Sequence, residues 1–119
     1  MMGWIGVDLD GTLAHYDGWK GERHIGEPIP VMVARVIEWV KSGREVRIFT
    51  ARVTENLTGG KSRASPDEMR HIIRAWCKTH LGFELPITNV KDYQMIELWD
   101  DRAVQVIPNT GERADGLTI

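Results

Sequence analysis

The stretch Trp4-Ile5-Gly6-Val7-Asp8-Leu9-Asp10-Gly11-Thr12 places two carboxylates at the end of a short apolar run. The apolar residues predict a buried strand over Ile5–Leu9, and Gly11 lets the chain turn sharply after it. In an extended chain, residues i and i+2 point to the same side, so Asp8 and Asp10 are expected to project together. Open α/β sheets bind ligands at the carboxyl ends of their strands. The stretch therefore predicts a functional site, the ordinary alternative being an acidic turn, since Asp-Gly is a common turn pair.

Downstream of this stretch, predicted strands alternate with predicted helices. One helix follows Pro30 and ends at Gly43, and a second begins at a capping box formed by Ser65 and Glu68. Further strands are predicted over Val46 to Phe49, Ile87 to Val90, Met95 to Trp99 and Ala103 to Ile107. This alternation predicts an α/β fold of Rossmann-like type, with a mostly parallel sheet and flanking helices. The carboxyl ends of all parallel strands then lie at one edge of the sheet.

Two polar stretches interrupt the alternation. Residues 14–27 contain three glycines and predict a flap hairpin, and residues 53–64 contain Gly59-Gly60-Lys61 and predict a mobile loop. Neither stretch is long enough for an inserted helical domain. The 119 residues are therefore predicted to form a single domain, residues 1–119, with no cap domain over the site.

Composition narrows the classes of partner and compartment. With 15 basic and 17 acidic residues the chain has a net charge of −2, which argues against nucleic-acid binding driven by bulk charge. Cys77 is the only cysteine, so no internal disulfide can form. No apolar run approaches the ~20 residues that a membrane-spanning helix needs. A cytoplasmic protein without a membrane partner is predicted, and its oligomeric state stays open.

The predicted strand ends carry an unusual set of charges. Four carboxylates near one another repel, and an oxygen-seeking cation such as Mg²⁺ relieves that repulsion. A hydroxyl and two cations nearby are donors suited to an anion. A hard metal with anion donors points to phosphoryl transfer. The residues concerned are Asp8 and Asp10, Thr50 and Arg52, Lys91, and Asp100 and Asp101.

In this order the motifs resemble those of the haloacid dehalogenase superfamily of phosphohydrolases: D-x-D-G-T, a strand ending in Thr50, Lys91, and an apolar strand ending in Asp100-Asp101. The resemblance extends from Ile5 to about Ile107 and is strongest to small capless members. Thr50-Ala51-Arg52 and Asp100-Asp101-Arg102 also resemble the phosphatase domain of polynucleotide kinases.

The resemblance implies catalytic roles for the first motif. Asp8 would be the nucleophile and would form an aspartyl-phosphate. Asp10 would act as general acid towards the leaving oxygen, then as base towards the hydrolytic water, and its backbone carbonyl would bind Mg²⁺.

The later motifs would bind the metal and the phosphoryl group. The resemblance implies that Asp101 is the direct carboxylate ligand of Mg²⁺, with Asp100 orienting the site, although the choice between them stays open. Thr50 would bind the transferring phosphoryl group and Lys91 would neutralise it, while Arg52 would contact the substrate.

Two other functions compete with a Mg²⁺-dependent phosphomonoester hydrolase. A receiver-like phospho-acceptor also gathers Asp, Thr and Lys around Mg²⁺, but its acidic pair comes first in the chain, whereas Asp100-Asp101 comes last here. A non-catalytic domain of the same fold is the third hypothesis, disfavoured because every motif position holds a competent residue. The substrate classes that stay open are nucleotides, polynucleotide ends and sugar phosphates.

Overall fold

A four-stranded parallel sheet organises the chain in a computed structural model, which describes residues 3–55 and 64–117. The strands lie side by side in the order β3-β2-β1-β4. In chain order the elements are β1 (Trp4–Val7), α1 (Pro30–Lys41), β2 (Glu45–Phe49), a short 3-10 helix (Ala51–Val53), α2 (Pro66–Leu81), β3 (Ile87–Thr88) and β4 (Met95–Trp99).

The core lies between the sheet and the two helices. Alternate residues of the central strands, among them Ile5 and Val7 of β1 and Ile48 of β2, pack in one cluster with the buried faces of α1 and α2. Ile5 pairs with Val46 and Val7 with Ile48, so the apolar positions of the two strands fall on the same face. This common face fixes the register of the two strands. All neighbouring strands pair in parallel, so their carboxyl ends lie at the same edge of the sheet.

Local signals placed the helices correctly. Ser65 accepts a hydrogen bond from the backbone N–H of Glu68 at 3.1 Å, and Pro66 is the first residue of α2, as the predicted capping box requires. Gly82 follows α2 in the left-handed conformation at φ 90°, the usual end of a helix. The predicted α/β fold with a parallel sheet is confirmed.

The predicted fifth strand over Ala103–Ile107 is wrong. Beyond Asp101 the chain pairs with itself, through an isolated antiparallel bridge between Val106 and Arg113 and a hydrogen bond from Ile107 N to Glu112 O at 2.8 Å. Pro108 and Asn109, the latter at φ 67°, reverse the chain between the bridged residues. This local reversal takes the place of pairing with the parallel sheet.

The predicted flap, residues 14–27, is a loop whose two ends are paired. Ala14 and Pro28 form an antiparallel bridge, and His15 N donates to Glu27 O at 2.8 Å. Trp76 of α2 donates its indole N–H to Gly26 O at 3.0 Å, which ties the returning end of the loop to a helix of the core. The loop therefore has a firm base beside the carboxyl end of β1.

Most of the predicted mobile loop, residues 56–63, lies outside the described residues. Its first member, Val53, belongs to the 3-10 helix and is buried, so the loop begins later than predicted. Among the described residues, no helix is long and apolar enough to cross a membrane.

Candidate active site

A cavity of about 350 Å³ opens at the edge of the sheet where the central strands end. Its lining includes the carboxylates that follow β1 and β4, and Thr50 and Arg52, which follow β2. Aromatic side chains, among them Tyr16 and Trp19 from the loop 14–27, complete the wall. The parallel sheet thus brings together most of the polar residues that the sequence placed at strand ends.

Three carboxylates form a compact acidic group in this cavity. Oxygen atoms of Asp8, Asp100 and Asp101 all lie within 4.8 Å of one another, a spacing that could hold a metal ion. Burial, the charge of Asp100, and then the hydrogen bond and charge of Asp101 raise the pKa of Asp8 from its ordinary value of 3.8 to about 7. Carboxylates at this spacing repel one another when ionised, and a cation that prefers oxygen ligands would relieve the repulsion.

The turn after Asp8 connects two members of the acidic group, Asp8 and Asp101, through hydrogen bonds. The backbone N–H groups of Leu13 and Ala14 donate to Leu9 O at 3.0 and 2.8 Å, which curls the chain back. Thr12 Oγ1 donates to Asp8 Oδ2 at 3.5 Å and accepts from the N–H of Asp101 at 3.1 Å. Thr12 therefore links the end of β1 to the end of β4, a role that sequence analysis missed although Thr12 stands in the D-x-D-G-T motif.

Gly11 is required because the Asp101 carboxylate lies against its Cα. A Cβ at this position would clash with Asp101 Oδ2 and lie only 2.8 Å from Asp101 Cγ, and the residue adopts φ +91°. No other residue type satisfies both conditions.

Substituting Gly11→Ala is expected to displace Asp101 and so to abolish the rise in melting temperature that we expect the parent protein to show on adding a divalent cation such as Mg²⁺. Gly18→Ala is the matched control, since Gly18 has φ +124° but nothing within 4 Å of its Cβ position. Both substitutions strain the backbone by roughly 1 to 3 kcal/mol, but only the first meets the carboxylate. Thermal denaturation with and without Mg²⁺ measures the difference. A Mg²⁺ response retained in Gly11→Ala would show that Asp101 is not needed for the metal.

Asp10 does not join the acidic group. Both of its carboxylate oxygens accept hydrogen bonds from Arg52, with Nε to Oδ2 at 2.7 Å and Nη2 to Oδ1 at 2.9 Å. The same guanidinium donates to Glu22 O at 3.0 Å and to His24 O at 2.9 Å, and its side chain is only 6% exposed. Arg52 thus holds Asp10 and the loop 14–27 together, and because it also lines the cavity, its contact with substrate stays a prediction.

Thr50 lies where the phosphate ligand was predicted. The residue is buried, lines the cavity, and its Oγ1 accepts a hydrogen bond from Arg52 N at 3.1 Å. Because the oxygen acts as acceptor in that bond, its hydroxyl hydrogen can be donated to an anion in the cavity.

Lys91 is not brought to the cavity. It is exposed in the segment that returns from β3 to the start of β4, and the next residue, Asp92, accepts a hydrogen bond from the indole N–H of Trp4 at 2.8 Å. Trp4 begins β1, so this segment has already reached the opposite edge of the sheet. A parallel strand forces the chain to return in this way, and the return carries Lys91 out of the predicted site. Arg102, exposed and lining the cavity, is a cation that sequence analysis did not assign.

Comparison with known proteins bears on the fold. No protein-family model and no curated protein matches the chain. A solved structure of a conserved protein from Bacteroides thetaiotaomicron is similar, with a TM-score of 0.58 and 23% sequence identity. The match covers 92% of this chain and 84% of that one, so the two share a fold over nearly their full lengths.

Proposed function

We propose that the protein is a Mg²⁺-dependent phosphomonoester hydrolase that works through an aspartyl-phosphate, as its resemblance to the haloacid dehalogenase superfamily implies. The observation that carries the proposal is the acidic group of Asp8, Asp100 and Asp101 beside the buried hydroxyl of Thr50. Carboxylates with a hard cation and an anion donor suit phosphoryl transfer better than other chemistries.

The residues present fit a magnesium ion by their chemistry. Asp8, Asp100 and Asp101 would hold it, and Asp10 would add its backbone carbonyl. When bound, the ion supplies positive charge that neutralises the phosphoryl oxygens and offsets the repulsion between phosphate and nucleophile.

In the first step of the proposed reaction, a carboxylate oxygen of Asp8 attacks phosphorus and the bond from phosphorus to the leaving oxygen breaks. Asp10 gives its proton to that oxygen. In the second step water attacks phosphorus, Asp10 takes the proton of the water, and inorganic phosphate leaves Asp8. Thr50 donates its hydroxyl hydrogen to a phosphoryl oxygen in both steps.

Arg52 bears directly on the role of Asp10. Both oxygens of Asp10 accept from the guanidinium, so proton transfer at Asp10 requires one of these bonds to lengthen. A protonated Asp10, as the first step uses it, would accept from the guanidinium through its unprotonated oxygen, and that remaining bond would still fix where the carboxyl group points. The proposed role of Arg52 is therefore to position Asp10.

Hydrolysis of p-nitrophenyl phosphate tests the proposal. We expect turnover with Mg²⁺, complete loss on chelation and recovery on adding Mg²⁺ back. A phosphoprotein that accumulates without turnover would indicate a receiver-like phospho-acceptor instead. Absence of both hydrolysis and phosphorylation, over a panel of phosphate esters, would leave the non-catalytic domain as the remaining hypothesis.

The cation that meets the substrate is expected to be Arg102 and not Lys91. Arg102→Ala should raise the KM for p-nitrophenyl phosphate about tenfold, since a charge-assisted hydrogen bond to phosphate is worth ~1.5 kcal/mol or more. Lys91→Ala removes the same charge from an exposed position outside the cavity and should leave KM within about twofold. Steady-state kinetics on both variants provides the check. A large effect of Lys91→Ala alone would mean that the segment 89–94 moves into the site during turnover.

A further inference from the structure

We propose that the cavity selects phosphate monoesters whose leaving group carries a flat aromatic ring, as a nucleoside does, and that Trp19 is the residue on which this ring stacks. This inference rests on the proposed hydrolase function and names its substrate class. It favours nucleotides and nucleic-acid ends over sugar phosphates.

Packing accounts for the other four tryptophans. Trp4 is fully buried beneath Arg47, Trp39 packs on Trp99 with ring centroids 5.1 Å apart, and Trp76 is buried with its indole N–H bonded to Gly26 O. Trp19, in contrast, is 55% exposed and lies at the wall of the cavity. A large aromatic side chain left in contact with solvent beside a polar site is typical of ligand recognition.

Trp19 is held in place although it is exposed. The Cζ atom of Arg52 lies 4.9 Å from the centroid of its ring, and four hydrogen bonds to Asp10, Glu22 and His24 fix that guanidinium. The cation supports the indole from one side and leaves the rest of its surface open. A ring supported in this way loses little freedom when a ligand stacks on it.

The position of the ring relative to the carboxylates suits a nucleoside phosphate. Arg52 touches Asp10 and the Trp19 ring at once, and Asp10 is two residues from Asp8. The ring therefore lies beside the residue that holds Asp10, in the cavity that Asp8 also lines. The leaving group of a phosphate ester bound at Asp8 would share the cavity with Trp19 and with Tyr16, which is 40% exposed and provides a second aromatic surface.

The test compares adenosine 5′-monophosphate with ribose 5-phosphate, which carry the same phosphate and sugar and differ in the base. In the parent protein with Mg²⁺ we expect kcat/KM to be at least about fivefold higher for the nucleotide, since stacking on an aromatic side chain contributes ~5- to 150-fold per base. Trp19→Ala should remove this preference, because it should lower kcat/KM for the nucleotide much more than for ribose 5-phosphate. Trp19→Phe should keep part of the preference, and Tyr93→Ala, which removes a fully exposed ring outside the cavity, should keep all of it.

A purely structural role of Trp19 would give a different pattern of kcat/KM values for the two substrates. If the indole only covers Arg52, then Trp19→Ala would lower kcat/KM equally for both substrates, and that result would overturn the proposal. Equal rates on the two substrates in the parent protein would overturn it as well. A short oligonucleotide with a terminal phosphate, assayed in parallel, shows whether the preferred substrate is a free nucleotide or a nucleic-acid end. If Trp19→Ala changes kcat/KM for neither of these substrates, the proposal is contradicted.

Binding to the Asp8→Asn variant distinguishes failure of this inference from failure of the proposed function. Titration calorimetry with each compound should show tighter binding of the nucleotide, and the added substitution Trp19→Ala should abolish the difference. If no phosphate ester is hydrolysed but this difference is found, the hydrolase proposal fails and the aromatic binding wall stands. If phosphate esters are hydrolysed but the two compounds bind with equal affinity, the hydrolase proposal stands and the aromatic binding wall fails.

Discussion

Asp8→Asn is expected to lower phosphate-ester hydrolysis by at least about 10³-fold, because the amide cannot attack phosphorus as the proposed nucleophile does. The same substitution should stabilise the metal-free fold. An asparagine keeps the size and much of the hydrogen bonding of Asp8 but carries no charge into the group formed with Asp100 and Asp101. Loss of activity together with a gain in stability would show that function keeps an unfavourable charge at this position.

The sign of the stability effect follows from the pKa of Asp8, raised from 3.8 to about 7. Between about pH 4 and 7 the folded protein binds more protons at this group than the unfolded chain does. Stability of the metal-free protein therefore falls as pH rises through this window and is lowest above it. With allowance for solvent screening at this half-buried group, the penalty at pH 8 is about 1 to 2 kcal/mol.

Thermal denaturation at pH 5 and pH 8 in the presence of a chelator measures this effect. At pH 8, Asp8→Asn should melt about 4 to 8 °C above the parent protein, and the difference should shrink at pH 5 and on adding Mg²⁺ to the parent. Glu38→Gln removes one exposed carboxylate from α1 and should shift the melting temperature little at either pH. A variant that melts below the parent at pH 8 without metal would contradict the electrostatic account of the acidic group.

Arg52→Met is expected to lower kcat about 100-fold, with a smaller effect on KM. The guanidinium binds both oxygens of Asp10 and two carbonyls of the loop 14–27, so its removal frees the proposed general acid and the wall that carries Trp19. A general acid contributes ~10²- to 10⁴-fold, and most of that depends on its placement. A direct substrate ligand would show the opposite split, with the larger effect on KM.

Stability provides the second measurement for Arg52. Breaking a largely buried ion pair leaves Asp10 without its partner, and the free energy of unfolding should fall by about 2 to 3 kcal/mol. Hydrogen exchange should rise across the amides of residues 15–25, which the guanidinium ties down through Glu22 and His24. Arg74→Met, an exposed position on α2, is the control and should leave kcat, stability and exchange nearly unchanged. Unchanged kcat in Arg52→Met would exclude a positioning role.

Short-range patterns were enough to predict most of the architecture. The alternation of strands and helices, the Ser65 capping box and the Asp-Gly turn after β1 are encoded within a few residues of one another. The one wrong element, the strand predicted at Ala103–Ile107, has β-forming residues, but its pairing partner is chosen by the turn at Pro108 and Asn109. Local propensity predicts an extended backbone there, but it does not determine which segment of the protein that backbone pairs with.

The candidate site likewise has a part that the sequence predicts and a part that depends on the tertiary structure. By itself, the sequence determined that Asp8, Thr50, Asp100 and Asp101 would meet, because each directly follows a strand and parallel strands end at one edge. Only the tertiary structure decided what surrounds them. Arg52 finds Asp10 across 42 residues of chain, and Lys91 leaves the site on the return to β4, since such contacts depend on loop paths and not on the period of a strand.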